Sequence, residues 1–180
     1  MNLILFGFKK CGKSYYGLRV AQKMHMSFVE TDLMIEELYA SRFHNALSCR
    51  EIVSHHGEHL FRELEKQVLY SLNEVKNTVI ALGGGSVLDA ENVEHLTKVG
   101  PLVYLQTDKH ELRRRLFVGE LPYYIDPDDP LHSFEKMYEV RHKIYEQIPA
   151  FKIDTHHKNE TQIIHELCAL VETMKGFNGQ

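Results

Sequence analysis

The sequence predicts a single α/β domain, built as a three-layer sandwich with a five-stranded parallel sheet between two layers of helices. Five short apolar segments alternate with segments of helical spacing, which is the pattern of a parallel sheet covered on both faces. The chain has 180 residues, of which 43% are hydrophobic and 26% are charged. That composition is typical of a globular protein, and the length suffices for one buried core, so we expect one domain over residues 1–180.

The predicted elements follow one another along the whole chain. Apolar segments rich in β-formers predict strands at residues 1–6, 27–30, 78–82, 101–105 and 151–154. Helical spacing predicts helices at 13–24, 33–40, 48–54, 89–97, 109–116, 132–147 and 160–175, with a longer helix that opens at Gly57. Residues 117–130 contain three prolines, Gly119 and several acids, which predicts a mobile loop.

The charge and cysteine content exclude several function classes. With 21 Lys and Arg against 25 Asp and Glu, the net charge is −4, which disfavours binding to the phosphates of nucleic acid. No apolar segment is long enough to span a bilayer, and the N-terminal apolar segment is too short for a signal peptide. The three cysteines are scattered, as in proteins of a reducing compartment. We therefore expect a cytoplasmic location and no membrane or nucleic-acid partner. We also expect a monomer.

Residues 7–14, Gly-Phe-Lys-Lys-Cys-Gly-Lys-Ser, match the phosphate-loop pattern G-x-x-x-x-G-K-[ST]. They lie between a predicted strand and a predicted helix, where backbone N–H groups can surround phosphate oxygens. Lys13 would reach the outer phosphates of ATP and Ser14 would bind Mg²⁺. The alternative is a glycine-containing turn with a solvated lysine. The expected ATP-binding residues of this segment are Gly7, Lys10, Cys11, Gly12, Lys13, Ser14 and Tyr15.

Cys11 lies in the middle of the phosphate loop, where small residues are more usual. Neighbouring lysines and the helix N-terminus could lower the pKa of its thiol. We therefore expect that alkylation of this thiol inhibits ATP binding and that ATP protects it.

Two acids, Glu30 and Asp32, follow the second strand. Ligands of open parallel sheets bind beyond the carboxyl ends of the strands. In an extended segment, residues two positions apart point to the same side, so both carboxylates would face one ligand. One carboxylate could hold a Mg²⁺-bound water. The other could orient a substrate hydroxyl or accept its proton. The alternative is that Asp32 only caps the N-terminus of the next helix.

Arg62, Arg141 and the triplet Gly83, Gly84 and Gly85 are further candidates. The planar guanidinium of Arg62 suits a carboxylate, although pairing with Glu58 or Glu65 along its helix is an alternative. Arg141 alone would more often be a solvated charge. The triplet allows a ligand to approach the backbone closely, or is a flexible turn.

Taken in order, these motifs resemble the shikimate kinase family. The family pattern combines a phosphate loop with acid-x-acid-x-x-I-E, G-E-x-x-F-R-x-x-E, a glycine triplet, a lid, and R-x-x-x-Y-x-x-x-A before a strand ending in D-T. The matching segments here are 30–36, 57–65, 83–87, 141–145 and 153–155. The resemblance runs from about residue 2 to residue 172, and its specific elements are 57–65 and the triplet.

The resemblance implies a fold of P-loop kinase type with a mobile lid at about 113–130 and an acceptor-binding segment at about 31–65. It also implies ATP-dependent phosphorylation of the 3-hydroxyl of shikimate, a step of aromatic amino acid biosynthesis, with Mg²⁺ as cofactor. Asp32 would hold that hydroxyl beside the catalytic Lys13, and Glu30 would support Mg²⁺. Arg62 and Arg141 would hold the carboxylate, and the three glycines would contact the ring hydroxyls.

Two departures from the family pattern matter for function. Glu30 replaces the usual Asp, which moves the carboxylate by one methylene. The lid sequence R-P-L-L is here Leu121-Pro122-Tyr123-Tyr124, so the lid arginine is missing. Arg113, Arg114 or Arg115 could substitute, and Arg114 and Arg115 are expected at ATP because one could pack on adenine.

Two alternative functions remain open at this point. One is a related small-molecule kinase acting on gluconate or a nucleoside monophosphate. The other is a nucleotide-binding protein that has lost catalysis, which Glu30 and the missing lid arginine would favour.

Overall fold

The computed structural model describes residues 1–177, so the last three residues of the expected domain lie outside the described part. Its centre is one parallel sheet with the strand order β2-β3-β1-β4-β5. The strands are β1 (Leu3–Phe6), β2 (Ser27–Glu30), β3 (Thr78–Ala81), β4 (Leu102–Gln106) and β5 (Phe151–Asp154). All five lie where the sequence predicts them, to within two residues at each end.

Seven helices flank the sheet among residues 1–177. They are α1 (Lys13–Met24), α2 (Thr31–Phe43), α3 (Cys49–Ser71), α4 (Ala90–Val99), α5 (Lys109–Leu116), α6 (Pro130–Gln147) and α7 (Glu160–Phe177). Helix α1 packs on α7 and on the sheet, while α2 packs on α3. The predicted α/β sandwich is therefore confirmed. No helix in this part of the chain combines the length and apolar character needed to cross a membrane.

Helix α3 joins two segments that the sequence predicts as separate helices. Ser48 and Glu51 form a reciprocal capping box at its start. At Gly57 the backbone leaves helical geometry, with φ 82° and ψ 168°, and the helix kinks. Glycine is suited to this position because positive φ is costly for residues with a Cβ. The second half of α3 carries Arg62, whose guanidinium lies beside Gly85 after β3.

The core explains why the strands are short and apolar. Every residue of β1 and β3 is buried, as expected for central strands covered by helices on both faces. A second apolar cluster lies between α2 and α3 and comprises Ile35, Tyr39, Ile52, Phe61, Leu64 and Val68. The segment 31–65 thus has a small core of its own beside the main one.

Candidate active site

A cavity of about 610 Å³ opens at the carboxyl edge of the sheet. The loops after β1, β2 and β3 meet there, and α3, α6 and the loop at 117–129 close its sides. Its lining includes most of the residues singled out from the sequence: Lys10, Gly12, Lys13, Ser14, Tyr15, Glu30, Asp32, Arg62, Gly83, Gly84, Gly85 and Arg141. Gly7, Cys11, Arg114 and Arg115 do not line it.

The loop between β1 and α1 has the backbone of a phosphate-binding loop. Gly7, Lys10 and Gly12 have positive φ, at 142°, 64° and 105°. Gly12 caps α1 in a left-handed conformation without any side-chain cap, so the first N–H groups of the helix stay available for a ligand. Lys13 is only 8% exposed, and its ammonium donates to the carbonyls of Gly7 at 3.0 Å and Phe8 at 2.8 Å. The loop is thus shaped to bind an anion.

Cys11 does not have the accessibility that alkylation requires. Its side chain is completely buried in the main core, and its Sγ lies 3.8 Å from the Lys13 Nζ. A bulky alkylating reagent cannot reach this sulfur in the folded chain, so the expected alkylation was wrong for this conformation. The sequence shows a thiol among lysines, but not that its side chain turns inward.

The acids after β2 meet the phosphate loop. The Ser14 hydroxyl donates a hydrogen bond to Glu30 Oε1, which places two oxygen ligands of the type Mg²⁺ prefers at one corner of the cavity. Among residues 1–177, no group of three or more His, Cys, Asp or Glu side chains could hold a metal ion. A magnesium ion at this corner would therefore need further oxygens from phosphates and water.

Asp32, the second residue of α2, lines the cavity. Its side chain does not cap that helix, so the capping alternative was wrong. Thr31 holds the start of α2 against the triplet, because the Gly83 N–H donates to its Oγ1 at 2.9 Å. Desolvation raises the pKa of the Asp32 carboxyl above its ordinary value, although Lys13 lowers it in part and Glu65 adds to the increase. A raised pKa favours accepting a proton.

The three glycines bring the backbone close to the three candidate acceptor residues. A Cβ at Gly83 would collide with the Asp32 carboxylate, and one at Gly85 would lie 2.8 Å from Arg62 Nη1. A Cβ at Gly84 would lie 3.9 Å from Arg141 Nη1. Asp32, Arg62 and Arg141 therefore converge on one backbone segment, which makes the flexible-turn alternative insufficient.

Arg62 is fixed by two carboxylates. Its guanidinium donates to Glu65 at 2.7 Å and Glu58 at 3.0 Å, as the pairing alternative predicted. Glu65 is 2% exposed and also accepts from Ser86 at 2.8 Å. Burial disfavours the charged guanidinium, but Glu65 outweighs this and raises the pKa of Arg62. The arginine is therefore held charged and in place at the cavity wall.

Arg141 has no carboxylate partner among residues 1–177. It is 9% exposed, which contradicts the alternative of a solvated charge. The Tyr124 ring covers one face of its guanidinium at 4.2 Å, and Tyr145, which donates to the Gly84 carbonyl, also contacts it. A buried cation without an anion is costly, so this arrangement indicates a site for an anionic ligand.

The loop at 117–129 is tied to the rest of the site at two points. Lys10 Nζ donates to the Val118 carbonyl at 2.7 Å. Arg50 Nη1 donates to the Leu121 carbonyl at 2.9 Å and lies 2.6 Å from Glu120 Oε1. Sequence reasoning missed Arg50, Tyr123, Tyr124 and Glu65, which all line the cavity. For Arg50 no motif could have shown this, since its partner is 71 residues away.

The three arginines at the end of α5 point elsewhere. Arg114 and Arg115 both pair with Glu111 at 2.7 Å, and Arg113 lies 4.0 Å from Glu135. Only Arg115 reaches the phosphate loop, donating to the Lys10 carbonyl at 3.3 Å.

Comparisons with known proteins show which family the chain resembles. A family model described as "Shikimate kinase" matches residues 9–172. The shikimate kinase of Caldanaerobacter subterraneus is 30% identical over 97% of the chain and 98% of its own length. That of Haemophilus influenzae strain PittEE is 28% identical over 99% of the chain and 96% of its own length.

Solved structures give the same result. The shikimate kinase of Acinetobacter baumannii in complex with shikimate superposes with a TM-score of 0.84 and 25% identity, covering 97% of this chain and 94% of that one. A gluconokinase of Sinorhizobium meliloti has a TM-score of 0.62 and 16% identity, with 99% and 96% coverage, and shares the fold alone.

Proposed function

The chain belongs to the shikimate kinase family, and from this premise we propose how its residues carry out the reaction. The protein catalyses ATP-dependent phosphorylation of shikimate at its 3-hydroxyl. ATP lies over the phosphate loop, and shikimate lies between Asp32, the glycine triplet and the two arginines. The observation that carries this arrangement is Arg141, a buried cation without a carboxylate partner among residues 1–177, in the same cavity as Lys13.

The residues around the ATP phosphates position those phosphates and stabilise their negative charge. Backbone N–H groups of the loop and the start of α1 bind the phosphate oxygens of ATP. When ATP binds, the Lys13 ammonium leaves its hydrogen bonds to the Gly7 and Phe8 carbonyls and binds the outer phosphates. This is a short movement for a flexible side chain. Positive charge here stabilises the negative charge that develops on the transferred phosphoryl group.

The residues present fit Mg²⁺, with Ser14 and Glu30 as its protein-side oxygens. When bound, Mg²⁺ would neutralise phosphate charge and align the phosphates for attack. The Glu30 carboxylate accepts a hydrogen bond from Ser14, so the methylene that distinguishes it from aspartate still leaves the carboxylate beside the second Mg²⁺ oxygen.

The acceptor side orients one hydroxyl for in-line attack. Asp32 accepts a hydrogen bond from the 3-hydroxyl and takes its proton as the oxygen attacks phosphorus. Arg62 and Arg141 bind the carboxylate on the other side of the ring, and the triplet backbone approaches the ring because no Cβ obstructs it. Two fixed points on the substrate, the carboxylate and the hydroxyl, set its orientation.

Family membership separates this function from the alternatives. Two arginines would bind the phosphate of a nucleoside monophosphate or the carboxylate of gluconate as well as that of shikimate, so the arginine pair alone does not choose among them. The intact set of Lys13, Asp32, Arg62 and Arg141 argues against a protein that has lost catalysis. The described lining residues all belong to one chain, which is compatible with a monomer, and the oligomeric state stays a prediction. The free cysteines are compatible with the cytoplasm.

A coupled assay of ADP release tests this proposal. With ATP and Mg²⁺, we expect ADP release to depend on shikimate and to be much weaker with gluconate or nucleoside monophosphates. The phosphorylated product should appear by ³¹P NMR in equal amount to ADP. If millimolar shikimate leaves ADP release unchanged, the assignment is wrong.

A further inference from the structure

The segment Glu120–Tyr124 covers the acceptor side of the cavity although it has no regular secondary structure. Within it, Tyr124 lies on the face of the Arg141 guanidinium, and Tyr123 lies near Arg62. The segment therefore reaches both arginines that are proposed to hold the substrate carboxylate. What holds the segment in place decides how those arginines are covered.

The two residues before the segment and its first residue give it no apolar packing. Val118, Gly119 and Glu120 are exposed, and nothing lies within 4 Å of the position that a Cβ at Gly119 would occupy. Gly119 has φ 88°, a conformation that serves as a turn. Leu121 is only partly buried against the core, and full burial begins at Pro122 and Ile125. The stretch before Pro122 thus depends in part on polar contacts, which Arg50 makes with residues 120 and 121 and Lys10 makes with Val118.

Arg50 supplies such a contact from α3. One guanidinium binds both the Glu120 carboxylate, at 2.6 Å, and the Leu121 carbonyl, at 2.9 Å. The capping box at Ser48 and Glu51 fixes the backbone on both sides of Arg50. A charge-assisted hydrogen bond to the main chain restrains the segment itself, whereas an exposed ion pair alone would contribute little.

We propose that Arg50 is a positioning residue for shikimate, which fastens the main chain at Leu121 so that Tyr124 stays against Arg141. The chain of contacts runs from α3 through Leu121 to Tyr124 and then to the substrate-side guanidinium. Arg50 brings a guanidinium to the main chain of residue 121, the position where the family pattern has its lid arginine. This inference rests on the proposed role of Arg141 in carboxylate binding.

The test compares Arg50→Gln with Arg42→Gln, an exposed arginine of α2 outside the cavity. For Arg50→Gln we expect the KM for shikimate to rise ~5- to 10-fold, the size expected from losing one hydrogen bond of ordinary net strength. The KM for ATP and kcat should change less than about 2-fold. Glu120→Gln should shift the KM for shikimate in the same direction by less, and Arg42→Gln should not change it.

A second readout needs no substrate. Chymotrypsin cleavage after Tyr123 and Tyr124, followed by mass spectrometry, should be at least about 3-fold faster in Arg50→Gln than in wild type or Arg42→Gln. An unchanged KM and cleavage rate in an otherwise active Arg50→Gln would overturn the proposal. So would a loss of kcat at unchanged KM and cleavage rate, since Arg50 would then contact the reacting phosphoryl group. If the wild type itself ignores shikimate, the proposed function fails, and the cleavage rates still test the Arg50 contact.

Discussion

Arg62 and Arg141 carry the same charge in the same cavity, but they differ in their contacts, which indicates different roles in substrate binding. Arg62 is oriented in advance by Glu65, which Ser86 holds in turn, so its geometry does not depend on a ligand. Arg141 is buried against Tyr124 with no carboxylate partner in the described part of the chain. We infer that Arg62 fixes where the substrate carboxylate lies and that Arg141 gains most from binding it.

The variant Asp32→Asn should lower catalytic activity and raise the stability of the folded protein. Because the amide cannot accept the proton of the hydroxyl, kcat should fall ~10²- to 10⁴-fold. Desolvation raises the pKa of Asp32, so the charged carboxylate at neutral pH destabilises the folded protein. The variant should therefore have a higher melting temperature, by roughly 2–4 °C for each kcal/mol gained.

The pH dependence follows from the same carboxylate. A raised pKa in the folded state means that this group favours folding only below its unfolded pKa and loses that contribution as pH rises through the folded pKa. Activity depends on pH in the opposite direction and rises with pH, because Asp32 must be deprotonated to act as the base. A profile of kcat/KM should thus fall as pH decreases through a value above that of an ordinary aspartate. A melting temperature of Asp32→Asn below that of wild type at pH 7 would contradict the account.

At the scale of elements, the glycine triplet after β3 is the segment on which the acceptor residues converge. Gly85 has φ −101° and ψ −10°, which any residue adopts without strain. Its neighbour is the end of the Arg62 side chain rather than backbone, and this group can shift slightly while Glu65 and Glu58 hold it. A side chain here would therefore disturb the site without disturbing the fold.

Gly85→Ala should consequently raise the KM for shikimate by about 10-fold or more while the melting temperature changes by less than about 3 °C. The added Cβ would shift the Arg62 guanidinium at the cavity wall while its ion pair with the buried Glu65 is kept. Thermal unfolding and steady-state kinetics measure both effects. Gly176→Ala is a matched control, since nothing lies within 4 Å of its Cβ position. Strong destabilisation of Gly85→Ala would show that the triplet serves the fold instead.

Elements were predictable from the sequence where a local pattern specifies them. The strands follow from apolar segments, and the kink in α3 follows from Gly57, whose backbone must turn. The contact of Arg50 with Leu121 was not predictable, because it joins positions 71 residues apart and depends on how the loop at 117–129 folds back. The orientation of Cys11 depends likewise on core packing that the phosphate-loop pattern does not contain.

At the scale of the whole molecule, the sheet order brings the site together. Strands β1, β2 and β3 are neighbours although they are far apart in the chain, so the loops that follow them share one edge. The phosphate loop, Asp32 and the triplet thereby form one continuous wall, and α6 adds Arg141 from the other side. The motifs predicted these residues one by one, and the parallel topology explains why they line one cavity.

The central claim is that Arg141 recognises the carboxylate of the phosphoryl acceptor. The most direct measurement compares kcat/KM for shikimate with kcat/KM for its uncharged methyl ester, in wild type, in Arg141→Met and in Lys143→Met, an exposed lysine on the same helix. Wild type and Lys143→Met should prefer shikimate by ~30- to 1,000-fold, the loss expected when a buried charge pair is broken. Arg141→Met should lose most of that preference, through slower reaction of shikimate. An equal preference in wild type and Arg141→Met would contradict the account.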